Sequence, residues 1–231
     1  MRKKDGRVLL SNLNPKSKVC AVIPFYNEKD FILNVVRETL NYVDKVFAVN
    51  DGSTDLSEKQ IAYLENVNIL DLKSNKGKGK ALQAGFDECV NNNFNIIVTI
   101  DGDNQHDPKY IPEFIEKLNS YDIVIGNRLL NTKSMPLQRI MSNKLTSFTL
   151  SLKTGQNIPD SQCGFRAYKK EVLQNVRTSF SGYEAESEIL IYAARKGFKI
   201  GYVNIPTIYG DEKSKMNPIG AITGFIKVLF K

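Results

Sequence analysis

The chain has 231 residues, 42% of them apolar, which is enough for a real core in one large domain or one domain with an appendage. Lys and Arg outnumber Asp and Glu by 32 to 25, and the resulting +7 suits an anionic partner such as nucleic acid, a membrane face or a phosphorylated substrate, although solubility alone would also account for it. Three cysteines without a Cys-x-x-Cys spacing argue against a zinc site and a disulfide framework and point to a reducing, cytosolic compartment, and no apolar run approaches the ~20 residues of a membrane span.

Residues 1–18 form a basic extension carrying Arg2, Lys3, Lys4 and Arg7, and its apolar run, Val8-Leu9-Leu10, falls short of a signal-peptide core. Short apolar strands then alternate with helical patterns. Residues 19–23 read as a buried strand ended by Pro24, and Phe31, Ile32, Val35, Val36 and Leu40 follow at helical spacing. Further strands are expected over 46–49, 67–72, 96–100 and 123–125. Helices are expected over 56–64 and 81–90, and from Pro108 through Leu118. The second half is less regular: helix over 137–152, strand over 164–168, helix over 189–195 ended by Gly197, and strand over 199–205.

This alternation predicts an α/β fold, a Rossmann-like and mostly parallel sheet with helices on both faces. Ligands of such sheets bind outside the carboxyl ends of the strands. Four polar clusters, at 27–28, 50–55, 75–80 and 101–107, each follow a strand and should converge on one cleft. With no repeat or linker, residues 19–216 read as one continuous domain, followed by a C-terminal amphipathic segment over 217–231.

Asp101-Gly102-Asp103 directly follows an apolar strand. Two carboxylates there repel each other and lose solvation unless a cation joins them. The pair suits Mg²⁺ or Mn²⁺, with phosphate oxygens completing a hard oxygen shell, though Asp and Gly also make plain turns. The run continues through Asn104, Gln105 and His106, the single histidine of the chain. In Asp51-Gly52-Ser53-Thr54-Asp55, Asp51 is placed to accept hydrogen bonds from a nucleobase or ribose and Asp55 to cap the next helix. Lys76-Gly77-Lys78-Gly79-Lys80 sets cations and glycines before a helix, where they could face phosphate. It fits neither the Walker A pattern nor the dinucleotide fingerprint, because Leu82 stands where the third glycine would be. Arg128 ends the fifth strand with a planar fork suited to phosphate.

Taken together, Ile23 to Glu28, Asp51 to Asp55, residues 75–79, Asp101 to His106 and Gly126-Asn127-Arg128 resemble the family 2 glycosyltransferases of GT-A fold. The likeness runs from about Val19 to Lys215. It is strongest to the polyprenyl-phosphate (dolichyl-phosphate) mannosyl- and glucosyltransferases, through Asp103-Asn104-Gln105-His106, Asp160 to Arg166 and Gly210 to Lys215. The resemblance implies metal binding by Asp101, Asp103 and Gln105. It implies nucleotide contacts from Pro24, Tyr26, Glu28, Asp51 and Lys78, and phosphate contacts from Arg128, Arg139 and Lys215. Asn50 departs from the Asp that many members carry before Asp51. The absence of Trp removes the signature of processive polysaccharide synthases.

The resemblance implies an inverting transfer of sugar from a nucleotide-diphospho-sugar of GDP-mannose or UDP-glucose type. A hydroxyl acceptor requires a general base, for which Asp160, Glu186 and Glu188 are candidates, with Glu188 the preferred one. A polyprenyl monophosphate is already anionic near neutrality and needs cations instead, for which Arg128, Arg139, Arg166 and Lys215 are available. The expected setting is the cytoplasmic face of a membrane. Ile219, Ile222, Phe225, Ile226, Leu229 and Phe230 share one helical face there, with Lys227 and Lys231 nearby. A sugar-phosphate nucleotidyltransferase would carry a basic glycine loop straight after the first strand, where this chain has Pro24 to Glu28. A nucleic-acid binder would show a cationic stripe with interleaved aromatics rather than acidic turns along the cleft.

Overall fold

The computed structural model describes residues 17–130, 135, 137–206, 208 and 227. The basic extension through residue 16, Lys215 and the apolar face expected over 219–230 lie outside them. One seven-stranded sheet organises the chain in the order β3-β2-β1-β4-β6-β5-β7. The strands are β1 (Val19–Phe25), β2 (Lys45–Asn50), β3 (Val67–Asp71), β4 (Ile96–Thr99), β5 (Ile123–Asn127), β6 (Arg166–Lys169) and β7 (Ile200–Asn204). The helices are α1 (Ile32–Thr39), α2 (Lys78–Asn91), α3 (Ile111–Lys117), α4 (Leu137–Thr154), α5 (Lys170–Asn175) and α6 (Glu184–Arg195).

All seven residues of β1 are buried, so the sheet is covered on both faces, as a continuous apolar run requires. Pro24 is tolerated inside this central strand because pairing with β4 ends at Val22↔Thr99, before its missing N–H would matter. On one side, Gly85 of α2 lets that helix settle against Val22 and Val49. Farther along the sheet, Phe114 stacks on Phe165 at 4.3 Å and Phe86 meets Tyr168 edge-on. Each such fully buried side chain contributes about 1.5–3 kcal/mol relative to exposure.

The strands of the first half are mutually parallel, but β6 is antiparallel to both β4 and β5. Its direction is set by the excursion through α4, and four residues of strand carry no pattern that would reveal it. The helix expected over 56–64 shrinks to a single 3-10 turn, Ser57–Gln60. Leu56 enters it in the left-handed region at φ 65°, while Asp55 accepts from the Ser57 backbone and hydroxyl, which makes a turn rather than a lasting helix.

Candidate active site

The four strand-end clusters do meet. Pro24, Phe25, Tyr26, Glu28, Asp51, Asn75, Gly77, Lys78, Asp101, Gly102 and Asp103 line one cleft together with Gly182 and Tyr183. It encloses about 310 Å³, within the range of ligand clefts.

The rim is tied by short polar side chains reaching between loops. The Asn27 N–H donates to Ser53 Oγ at 3.0 Å, and the Asn27 amide oxygen accepts from the Thr54 N–H at 2.7 Å. The Glu28 N–H donates to Ser57 and the Lys29 N–H to Asp55. Asn50 closes its own turn by accepting from the Ser53 N–H. Asp51 is only 5% exposed, and its two oxygens accept from the backbone N–H groups of Lys76 and Gly77 at 2.7 and 2.9 Å. Its first task is therefore to hold the basic loop against β2, on the wall of the cleft.

That loop is not a bare phosphate cradle. The Gly79 N–H donates to the Ser181 carbonyl at 2.7 Å, and a Cβ at Gly77 or Gly79 would collide with the 180–182 backbone. Glycines serve here to let a second segment, residues 180–186, close over the loop. The Lys78 side chain alone points into the acidic centre. Its Nζ lies 2.7 Å from Asp101 Oδ1 and 3.1 Å from Glu186 Oε2. Burial disfavours the ammonium, but Asp101 and Glu186 outweigh it and hold Lys78 firmly protonated.

The two aspartates are consequently unequal. Burial opposes the charge on Asp101, yet Lys78 keeps its carboxyl below the ordinary range. Asp103 has no such partner; burial first, and then the neighbouring Asp101, push its carboxyl up to about 7. The Gln105 N–H donates to Asp103 at 3.1 Å, so Gln105 enters the site through its backbone. His106 is 2% exposed with Nδ1 lacking a hydrogen-bond partner among the described residues, and burial followed by the Arg128 charge lowers it to about 4. It sits beside the acidic pair as a neutral imidazole.

This donor set fits a hard divalent cation. Two carboxylates strain against each other in a partly buried cleft, and among the described residues no group of three His, Cys, Asp or Glu side chains forms an all-protein cage. Such a site takes its remaining oxygens from a phosphorylated ligand.

Several expected contributors lie elsewhere. Glu188 is 1% exposed and accepts from the Thr178 hydroxyl, the Ser179 N–H and the Ser179 hydroxyl at 2.7–2.9 Å. A carboxylate so engaged pins the 178–179 turn, an arrangement that favours a structural part over the base expected of it from sequence. Asp160 is equally engaged, accepting from Arg128, Asn143 and Gln162. Arg166 is fully buried, donating to the carbonyls of Cys163, Glu186 and Ser161, so it is not an acceptor cation. Arg128 gives Nε and Nη2 to Asp160 at 2.8 and 3.0 Å, leaving one edge of its fork uncommitted to that pair. Its charge still acts on Asp101 and His106. Arg139 is exposed on α4, one turn before Asn143.

Sequence patterns missed Tyr183 and the part played by Gly164, and offered Glu186 as a candidate base without its ion pair to Lys78. The Thr99 hydroxyl donates to the Gly164 carbonyl at 2.8 Å, drawing that backbone under the end of β4. A Cβ on Gly164 would collide with the Asp101 carboxylate. Gly164→Ala should therefore displace Asp101 and cost about 10²-fold in kcat/KM while the protein remains folded, because a small misplacement of a reacting group is enough. Steady-state kinetics beside thermal denaturation check this; parent-like activity would show that Asp101 need not sit where it does.

Residues 20–177 match a family model described as glycosyl transferase family 2. The UDP-N-acetylglucosamine–dolichyl-phosphate N-acetylglucosaminyltransferase of Methanococcus voltae is 33% identical over 91% of this chain and 92% of its own length. The polyprenol monophosphomannose synthase of Mycolicibacterium smegmatis is 25% identical over 90% of this chain and 84% of its own. Among solved structures, glucosyl-3-phosphoglycerate synthase from Mycobacterium tuberculosis, in complex with Mn²⁺, UDP-glucose and phosphoglyceric acid, superposes with a TM-score of 0.75 at 18% identity, covering 100% of this chain and 84% of that one. That likeness carries the GT-A fold.

Proposed function

The chain belongs to glycosyl transferase family 2, and on that premise we propose that it moves a sugar, with inversion, from a nucleotide-diphospho-sugar to a polyprenyl monophosphate. The observation that carries the reading is the charge layout of the cleft. Asp101 and Asp103 stand ready for a cation, Lys78 sits between Asp101 and Glu186, and Asp160 and Glu188, both buried, are committed to other groups. The polyprenyl-phosphate transferases among its relatives support the same acceptor.

Asp101 and Asp103 would hold Mg²⁺ or Mn²⁺, which supplies positive charge to the diphosphate. Asp51, Tyr26, Glu28 and Pro24 form the wall against which the nucleoside rests. An acceptor phosphate oxygen attacks the anomeric carbon as the bond to the diphosphate breaks, and the nucleoside diphosphate departs with the bonding pair. Lys78 faces the charge that develops on that leaving group. Arg139, with the edge of Arg128 that Asp160 does not engage, would neutralise the incoming phosphate; Lys215, outside the described residues, is a further candidate for that role. Donors of GDP-mannose or UDP-glucose type suit this reading, and its setting would be the cytoplasmic face of a membrane, with the enzyme as a peripheral protein. No helix among the described residues is long and apolar enough to cross a membrane.

A hydroxyl acceptor is the second reading, and Glu186 is its observation: Oε1 is buried with no hydrogen-bond partner among the described residues, 3.6 Å from Arg166 Nε. Radiolabelled GDP- and UDP-sugars offered with undecaprenyl phosphate, dolichyl phosphate or the free alcohols separate the two. Label should appear on the phosphates and not on the alcohols. Transfer to an alcohol alone would overturn the phosphate acceptor and move attention to Glu186.

A further inference from the structure

Helix α4 is amphipathic in the inverted sense. Its inward-facing positions are Asn143, Ser147 and Leu150, two of them polar. The Asn143 amide reaches Asp160 at 2.6 Å, and the Ser147 hydroxyl bonds Asn143 and Ser161. Its large apolar side chains point the other way. Leu137, Met141, Leu145, Phe148 and Leu152 are 63–71% exposed. At 100° per residue these five fall within about 80° of arc, roughly opposite the buried three. Single exposed leucines are ordinary on a soluble protein, but a continuous stripe along an 18-residue helix is an interaction surface.

We propose that this stripe is the membrane-contacting face, lying in the interfacial plane of an anionic bilayer with the five apolar side chains among the acyl chains. Charge selects this occupant. The helix carries Arg139, Lys144 and Lys153 and no carboxylate, within a chain of net charge +7. Two copies pairing through α4 would set cation against cation, whereas anionic headgroups complement them. Lys144 borders the stripe at about 20° from its edge, while Arg139 and Lys153 lie on the far side of the helix near its two ends, from which long side chains reach toward headgroup level. The inner side of the same helix is one hydrogen bond from Asp160, which holds Arg128. The membrane face and the acceptor side of the cleft are thus two sides of one element.

The inference rests on peripheral membrane association and replaces its assumed location, the C-terminal segment, with α4. Flotation of the full chain separates the two claims. The probes are vesicles of phosphatidylcholine alone and of phosphatidylcholine with phosphatidylglycerol. The parent should float with the anionic vesicles, and Leu145→Glu with Phe148→Glu should lower the bound fraction at least tenfold. Both positions are exposed, so thermal melting should not change. If the parent fails to float, membrane association itself is wrong and α4 falls with it. If parent and double variant float equally, association stands but α4 does not carry it. If the double substitution instead converts a dimer to a monomer in sedimentation, the stripe belongs to a second copy.

Discussion

Asp103→Ala should abolish sugar transfer, by at least about 10³-fold in kcat, and should leave the protein no less stable than the parent. Both halves follow from one geometry. Asp103 is held in a partly buried cleft beside Asp101, and the two together raise its carboxyl to about 7. A group in that state works against the empty fold, so its loss relieves repulsion. Asp103 with Asp101 would hold a divalent cation, and it is that cation's positive charge that would steady the departing diphosphate, a contribution worth several kcal/mol. EDTA should stop the parent enzyme, and restored Mg²⁺ or Mn²⁺ should revive the parent but not the variant. Calorimetry adds a readout that needs no turnover: metal should strengthen nucleoside-diphosphate binding to the parent and do little for Asp103→Ala. Retained activity after chelation, or a variant that melts well below the parent, would show that Asp103 is a structural aspartate.

The strand-end residues of this cleft were legible because the apolar runs before them are unambiguous. Val19 to Ile23, Ile96 to Ile100 and Ile123 to Ile125 are too uniformly apolar for anything but a covered sheet, and the loops leaving the carboxyl ends of such strands face the ligand side. The opposite wall was not legible. Residues 180–186 have no periodicity of their own and reach Lys78 only through the third dimension. The signal that existed was indirect: Gly77 and Gly79 stand where another backbone approaches. The acids divide in the same way. Glu184, Glu186 and Glu188 alternate along α6, and the 3.6-residue turn sends Glu186 toward Lys78 and Glu188 toward Ser179, a distinction invisible without the helix start. In α4 the helical spacing of Leu137, Met141 and Leu145 was plain, but periodicity reports that a stripe exists, not which side of it meets the protein.

Arg128→Ala should unfold the protein more easily by about 3–5 kcal/mol, which for a chain of this size is on the order of 10 °C in Tm. Asp160 is fully buried and accepts three bonds from Arg128, through its backbone N–H, Nε and Nη2, at 2.8–3.0 Å. Burial alone would raise the Asp160 carboxyl, but the Arg128 charge and hydrogen bonds win, and its pKa lies below the ordinary value. A depressed carboxyl lends stability above its unfolded pKa and loses it as pH falls through the folded one. The gap between parent and variant should accordingly be widest at neutral pH and narrow below about pH 4. Stability and chemistry can then be parted by replacing the pair. Arg128→Met combined with Asp160→Asn removes both charges and keeps a side-chain oxygen for the Arg128 backbone N–H and the Asn143 amide, so most of the lost stability should return. If Arg128 serves only as a clamp, activity returns with it. If the uncommitted edge of its guanidinium also meets phosphate, the double variant melts like the parent, and both its KM for the lipid phosphate and its kcat remain impaired. Chemical denaturation with kinetics on the same three proteins decides, and recovery of both stability and turnover would remove Arg128 from the acceptor site.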